Sequence, residues 1–430
     1  MVGKAGLITV LGFATVIGYV SSNMHRMATN SVGNMSSYNE ATASHNLAVT
    51  GANVGLAKFY ADTSWFGSVT QTLSSARFGG SFTMSMTDLG GNVARLRSVS
   101  TYNGHSVGGL AETLHDTIEV YFDKRKRNSF SMFAWMTQFE GNVFWITGDT
   151  VWGRVHSNGQ LHVNGKPVFM EKVTTAKSFN PKPGTGTNKA IFKNGYETGV
   201  APIDFPNDLS EIIVASTSGG RKYVGDIWVT LSSGSAANND GKAYVRATET
   251  GPIIDSIALN DPSSFNGALL GTGKVNVQGQ VDGKLTIASM TYVVVRNDIV
   301  YEQNPRFTDS DDLLGLVGEN NVVVADNAAN NSNCEIHACI FARTNSFTAE
   351  NYSTRPVSGE LRLLGSIVQK NRGPVGTFSG STIKSGFSKR YRYDTRLSDP
   401  DTRPPFYPGF YVKTYAITNW WESFRVPEIR

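Results

Sequence analysis

Three aspartates in the stretch TDSDDLLG, Asp309, Asp311 and Asp312, are the residues of this chain whose type and spacing come nearest to a metal or acid site. Clustered carboxylates bind calcium, and paired carboxylates act as acid and base in glycoside hydrolysis. The spacing lacks the terminal glutamate of an EF-hand loop. Because the aspartates directly precede the apolar LLGLVG, we expect them to cap a helix, and they stay weak candidates for a metal site.

Histidine and cysteine spacings give no stronger site. The seven histidines contain no HExxH pair. His156 and His162 share strand parity and would approach His337 if coils of chain stack, but we expect them to bond to the backbone. A strand through Cys334 and Cys339 would hold the two α-carbons about 16 Å apart, too far for a disulfide. With no P-loop and no nucleophile elbow, we predict no catalytic residue, no cofactor, no metal and no enzymatic activity.

The stretch SKRYRYDTR, residues 388–396, interleaves arginine and tyrosine. Such side chains can stack on single-stranded nucleic acid. The whole chain carries 39 Lys and Arg against 35 Asp and Glu, a net charge of +4, which does not support a dedicated polyanion partner. We therefore expect no nucleic acid, and an ordinary half-buried edge strand.

The amino terminus contains an uncharged segment from Ala5 to Met24, long enough to cross about 30 Å of hydrocarbon as a helix. It follows Lys4 and is densest over residues 7–20. Three interpretations are open: a secretory signal cut near Asn23, a retained membrane anchor, and a buried core helix. The apolar side chains that would face lipid or neighbouring helices are Leu7, Ile8, Val10, Leu11, Phe13, Val16, Ile17 and Val20.

The residues that follow favour retention of this segment. Positions 23–62 contain no proline, and small or apolar side chains recur at helical spacings: Ala41, Ala48, Ala52, Leu56 and Phe59. The apolar segment is therefore predicted to continue into a long amphipathic helix.

A short lysine-containing leader, Gly6, an apolar stretch and then NEATASHNLAVTGANVGLAKFY resemble the amino terminus of type IV pilin-like proteins, in particular PilX-like minor pilins. The resemblance implies cleavage by a prepilin peptidase after Gly6, with Leu7 as the first mature residue. It also implies a helix that anchors the protein in the membrane or packs in a filament. The fifth mature position, a glutamate in major pilins, is Leu11 here.

The rest of the chain has the composition of a β protein, with 44 glycines and only 17% charged residues. TIEVYF (117–122) and SFSMFAW (129–135) predict a strand pair joined by a charged turn, and EIIVAS (211–216) predicts a further strand. Short apolar runs with Asn-Gly corners in 141–176, and again after 265, are typical of hairpins or of a parallel β-solenoid.

A second resemblance covers more of the chain. The phrases WGRVHSNGQLHVNGKPVF, DDLLGLVGENNVVVADN, EIHACIFA, SFTAENY, GELRLLGSIVQKNRGPVGTF and KRYRYDTRL are similar to an uncharacterised domain family of bacterial cell-envelope proteins. That family carries no activity over to this chain.

These patterns predict an α+β fold, mainly β: a long N-terminal, transmembrane or pilin-like helix followed by a β-rich body with parallel β-solenoid-like segments. The segments are a leader (1–6), a pilin-like helix (7–62, apolar over 7–20), a β-rich subdomain (63–140), a first solenoid-like segment (141–176), an inserted lobe (177–265), a main solenoid-like segment (266–372) and an aromatic, proline-rich C-terminal cap (373–430).

The function expected from both resemblances is a non-enzymatic structural or assembly component of the bacterial cell envelope. It would be a minor-pilin-like subunit of a type IV pilus-like filament or secretion system. We expect a single pass through the inner membrane, a body outside the cytoplasm, and other pilin-like subunits or assembly machinery as partners. The alternative is a secreted or anchored β-solenoid that binds or cleaves polysaccharide.

Overall fold

The computed structural model describes residues 2–63, 65–75, 78–90, 92–105, 111–234, 241–379, 382–399 and 401–423. The chain divides into two compact units: unit 1 contains Met1–Lys126 and Val412–Arg430, and unit 2 contains Arg127–Tyr411. One long helix precedes a strand-rich body with many parallel strand pairs, so the predicted fold class is confirmed. The boundaries of the seven predicted segments stay predictions.

Unit 1 consists of helix α1 (Val2–Ala61) and an antiparallel sheet. The strands follow the order β1-β2-β3-β5-β31, and β4 pairs with β3. Alternate side chains of β2, β3 and β5 form the core of this unit with the carboxyl-terminal half of α1. The strand bounds are β1 (Ser68–Ser75), β2 (Phe78–Asp88), β3 (Val93–His105), β4 (Ala111–Leu114), β5 (Thr117–Ser129) and β31 (Gly409–Glu422).

The predicted hairpin over 117–135 is wrong. Residues Thr117–Ser129 form the single strand β5, and the chain continues through a short 3₁₀ helix, Phe130–Met132, into β6 (Trp135–Phe139) of unit 2. The charged stretch 123–128 stays extended because β5 is an inner strand of its sheet, where pairing outweighs local propensity. In sequence, unit 2 is therefore inserted within unit 1, beginning in the last residues of β5 and ending in the first residues of its sheet neighbour β31.

The first part of unit 2 winds through nine short strands. They pair in three parallel sets, β7-β10-β13, β8-β11-β14 and β9-β12-β15. Between the first two members of each set, paired residues are 18 positions apart. The bounds are β7 (Phe144–Ile146), β8 (Thr150–Val151), β9 (Val155–Ser157), β10 (Leu161–Asn164), β11 (Val168–Phe169), β12 (Val173–Thr175), β13 (Phe179–Asn180), β14 (Ile191–Phe192) and β15 (Tyr196–Thr198).

The second part of unit 2 alternates between two parallel sheets. Strands β20, β22, β24, β26 and β28 pair successively in one, and β21, β23, β25 and β27 in the other. Their inward side chains share one apolar core with the first coils. The bounds are β16 (Arg221–Tyr223), β17 (Ile227–Ser232), β18 (Lys242–Arg246), β19 (Ile253–Ala258), β20 (Ala268–Gly271), β21 (Val275–Val281), β22 (Lys284–Ser289), β23 (Tyr292–Tyr301), β24 (Leu313–Gly318), β25 (Asn321–Val324), β26 (Cys334–Ala342), β27 (Phe347–Ala349), β28 (Val357–Asn371), β29 (Gly376–Ser379) and β30 (Thr382–Tyr393).

A second apolar cluster covers the outward face of the longer parallel sheet. Helix α2 (Ser210–Thr217) contributes Ile212 and Ala215, one turn apart, and a 3₁₀ helix, Thr395–Ser398, contributes Leu397. The predicted strand over 211–216 is therefore wrong. Its β-branched residues favour a strand locally, but the helix places a three-residue spacing of apolar side chains against the sheet.

Candidate functional site

The apolar first third of α1 is exposed all round its circumference. Its eight predicted lipid-facing or helix-facing side chains, Leu7 to Val20, have exposed fractions between 48% and 71%. The most apolar 18-residue window of α1 has a mean hydropathy of 1.7 and is 0% buried. By length and composition this helix can cross a membrane, a property that a secretory signal shares. This apolar segment is not part of the core of unit 1.

Gly6 and Leu7, the predicted processing site, lie in the first turns of this helix. A side chain added at Gly6 would meet no atom within 4 Å, and Leu7 is exposed. The site is therefore sterically open. Cleavage after Gly6 stays a prediction.

Beyond the bilayer-length segment, α1 carries a second exposed apolar surface that the sequence analysis missed. Met27, Val32, Met35 and Tyr38 are each more than half exposed. At 3.6 residues per turn these four positions fall within an arc of about 140°, on one broad face of the helix. Serine, asparagine and glycine between them lower the local hydropathy, but a helical-wheel count over 23–40 would have found the face.

The carboxyl-terminal half of α1 packs on the sheet of unit 1. Ala48, Ala52 and Phe59 of the predicted stripe are fully buried, and Ala41 and Leu56 are half-buried. Two glycines allow this close approach. A methyl group added at Gly51 would lie 2.7 Å from the Phe82 ring, and one at Gly55 would lie 2.8 Å from Leu96.

A polar contact links α1 to the residue before β5 and to the residue after β31. His45 on α1 contacts Asp116 through Nδ1 and Oδ2 at 2.6 Å, and the Ser423 hydroxyl donates to the other Asp116 oxygen at 2.8 Å. The three residue types match a hydrolase triad, but the serine bonds to the aspartate instead of the histidine, so the order of contacts differs from that of a triad. The contact holds α1 against the sheet of unit 1, and Ser423 lacks the histidine partner that a triad gives its nucleophile.

The three aspartates of 309–312 do not form one site. Asp309 and Asp311 are exposed, and Asp311 lies 3.4 Å from Lys284. Asp312 is buried, where it accepts hydrogen bonds from the backbone N–H groups of Gly283 (2.8 Å) and Gln303 (3.2 Å). Burial raises the pKa of Asp312. The predicted helix cap is wrong, because LLGLVG is strand β24 and Asp312 fixes the turns beside it.

The histidines and cysteines also have structural partners. His156 bonds to Thr174, and His337 accepts from the backbone N–H of Tyr301. Burial lowers the pKa of both imidazoles. Cys334 and Cys339 are free, buried thiols in β26, and burial raises their pKa. Within the described residues, no three His, Cys, Asp or Glu side chains are grouped so as to hold a metal ion.

The arginine–tyrosine stretch lies in β30 and the turn after it. Tyr393 is buried, whereas Arg390 and Arg392 are exposed on the sheet surface. Arg392 stacks over the Trp152 ring at 4.8 Å from its centroid. These two arginines border a groove on unit 2 that the sequence analysis did not assemble.

Neither a protein-family model nor a curated protein matches this chain. Among solved structures, the competence-associated pilin ComZ from Thermus thermophilus is similar, with 9% identity and a TM-score of 0.39 over 89% of this chain and 97% of that chain. A similarity this weak supports no conclusion about fold or function, so the interpretation of the candidate site depends on its geometry alone. The long, exposed apolar helix at the amino terminus, compatible with membrane association, is the chain's candidate functional element.

Proposed function

We propose that the protein is a non-enzymatic structural or assembly component of the bacterial cell envelope. It is a minor-pilin-like subunit of a type IV pilus-like filament or secretion system, anchored in the inner membrane by α1 with its body outside the cytoplasm. The observation that carries the proposal is the division of α1: its first third is apolar and uncovered, and its last third is buried on the sheet of unit 1.

The free energy of exposing this surface to water supports an anchor. Each large apolar side chain gains about 1.5–3 kcal/mol when it leaves water. For the eight side chains from Leu7 to Val20 the upper estimate is about 12–24 kcal/mol. A bilayer or a set of neighbouring helices supplies that burial.

The second exposed face favours a filament over a simple anchor. The segment 5–24 already spans about 30 Å, so Met27, Val32, Met35 and Tyr38 lie beyond one hydrocarbon core. Methionine adapts to irregular partner surfaces, and an apolar face on a helix fits the face of another helix. Neighbouring pilin-like subunits would cover it.

The mass of the amino terminus, measured from membrane and surface fractions, tests the proposal. We expect the mature chain to begin at Leu7. A start near Asn23 in a soluble fraction would refute the anchor, and an intact Met1 would reduce the proposal to a simple membrane anchor.

Two glycine variants sharpen this test. Gly6→Leu should abolish processing, whereas Gly3→Leu, in the same leader, should leave it unchanged. An added Cβ at either position would have no atom within 4 Å outside the local helix backbone, and both positions are exposed, so both substitutions point away from packed neighbours. Equal processing of both variants would contradict cleavage after Gly6.

A further inference from the structure

A groove of about 390 Å³ crosses three neighbouring strands on the surface of unit 2. Glu335 of β26 pairs with Arg362 of β28, and Arg362 pairs with Arg390 of β30. Side chains at paired positions of parallel strands follow one another at about 4.8 Å. The segment after β23, with Arg306 and Phe307, closes one side of the groove. Charged side chains therefore lie in a row along the groove, one from each of the three strands.

The guanidinium groups of the groove outnumber its carboxylates. Glu360 bridges Arg362 at 2.9 Å and Arg390 at 3.1 Å. Arg306 and Arg392 stack on Phe307 and Trp152. Within the described part of the chain, neither of these stacked arginines lies within 4.0 Å of a carboxylate oxygen. Four arginines face two glutamates, so the groove keeps a positive charge available for a ligand.

The chemistry of this lining matches an acidic sugar. A guanidinium group binds a planar carboxylate through two parallel hydrogen bonds. Glutamate oxygens, as in Glu335 and Glu360, accept hydrogen bonds from hydroxyl groups. A chain of sugars that carry both carboxylate and hydroxyl groups uses both kinds of partner, and a groove of this volume accepts a small ligand or part of an extended one.

Two other interpretations fit less well. A nucleic-acid backbone would meet the two glutamates of the groove as like charges. Glycoside cleavage needs a protonated carboxylic acid. Glu360 lies 2.9 Å from Arg362 and 3.1 Å from Arg390, and the Arg362 hydrogen bond lowers its pKa, which makes this carboxyl a poor proton donor.

We propose that the groove between β26, β28 and β30 binds carboxylate-bearing saccharides, specifically uronic-acid chains, without cleaving them. Arg306 and Arg392, which have no carboxylate partner among the described residues, bind the sugar carboxylates, and Glu335 and Glu360 accept from sugar hydroxyls. The site does not depend on whether α1 anchors the protein or assembles a filament.

Binding of a hexameric uronic-acid oligosaccharide to the full chain in detergent, measured by titration calorimetry, tests the proposal. The methyl-esterified hexamer is the matched ligand control, because it lacks only the carboxylate charge. We expect the acidic hexamer to bind and the ester to bind at least about tenfold more weakly, as expected for the loss of charge-assisted hydrogen bonds. Product analysis should show no cleavage.

Protein variants then test the arginines. Arg306→Gln and Arg392→Gln should each weaken binding about tenfold or more. Arg392→Lys keeps the charge but removes the two-pronged geometry and should also weaken binding. The matched control is Arg97→Gln in unit 1, since Arg97 is a similarly exposed strand arginine 3.3 Å from Glu119. This variant should bind as the parent protein does.

Several results would overturn the proposal: no binding, equal binding of the ester, or full affinity in Arg392→Lys. Tighter binding of a 20-nucleotide single strand, or equal binding of a hexaglutamate peptide, would reassign the groove to another class of polyanion. The ligand controls use the unaltered protein, so they decide the question even if a variant fails to fold. Failure of the processing experiment would leave these outcomes unaffected.

Discussion

Replacing Arg372 by methionine measures the free-energy cost of an unpaired charge inside unit 2. The Arg372 and Glu140 side chains are both 1% exposed, and Nη1 lies 2.8 Å from Oε2. The guanidinium stacks on Trp145 at 4.2 Å and on Trp135 at 5.3 Å from the ring centroids. Glu140 also accepts from the Trp135 ring N–H at 3.3 Å and from the Thr137 hydroxyl. Because both side chains are shielded from water, the two charges are stabilised by their mutual contact and by these protein groups.

The expected loss of unfolding free energy in Arg372→Met follows from the burial of the Arg372–Glu140 pair. Removing one partner of a buried ion pair leaves an uncompensated charge and costs about 3–5 kcal/mol of the free energy of unfolding. The pair Arg362–Glu360 provides the control, because it has nearly the same length, 2.9 Å, but its side chains are 54% and 31% exposed. Arg362→Met should cost about 1 kcal/mol or less.

Urea unfolding of the full chain in detergent, followed by tryptophan fluorescence, measures both variants. Trp135 and Trp145 touch the buried pair, so they report its loss directly. The double variant Arg372→Met/Glu140→Met removes both charges and should be more stable than Arg372→Met alone. If Arg372→Met and Arg362→Met have equal costs, the assignment of Arg372 and Glu140 to the interior is refuted.

Two further predictions concern packing and pH. Gly51→Ala should lower the hydrogen-exchange protection of α1 by about 1–3 kcal/mol, because the new methyl would lie 2.7 Å from the Phe82 ring. Gly12→Ala, with no atom within 4 Å, should not, and equal effects would contradict close packing. Burial lowers the pKa of His156 below its ordinary 6.5, so the unfolded chain binds more protons and the free energy of unfolding falls as pH drops below that value. His156→Gln should flatten this dependence in urea titrations, and an unchanged slope would contradict the assignment.

The helix was predictable because its signals are local. An uncharged run the length of a bilayer and a recurring small-residue stripe both lie within 62 consecutive residues. Parallel strand pairing was partly predictable for the same reason: Asn-Gly corners mark the ends of short apolar runs. In the later coils the paired residues are 18, 29, 24 and 27 positions apart, so no fixed period was available to reveal the register.

The division into units was not predictable because it depends on a pairing remote in sequence. Strand β5 ends at Ser129 and its sheet neighbour β31 begins at Gly409. Nothing in the charged stretch 123–128 distinguishes a hairpin turn from a strand that continues. The same limit applies to the groove, since Glu335, Arg362 and Arg390 meet only through the register of three strands.

Strand β31 is synthesised after all the other strands of unit 1, which affects how this unit folds. Helix α1 and strands β1 to β5 are synthesised first, but Phe59 is covered by Tyr415, whose ring lies 4.7 Å away, and the Tyr60 hydroxyl donates to the Tyr415 carbonyl at 2.8 Å. Ser423 completes the contact with Asp116 that holds His45. Contacts so distant in sequence form slowly, because a long loop must close before they form. The apolar start of α1 needs no such closure, which leaves it available to a membrane before unit 1 is complete.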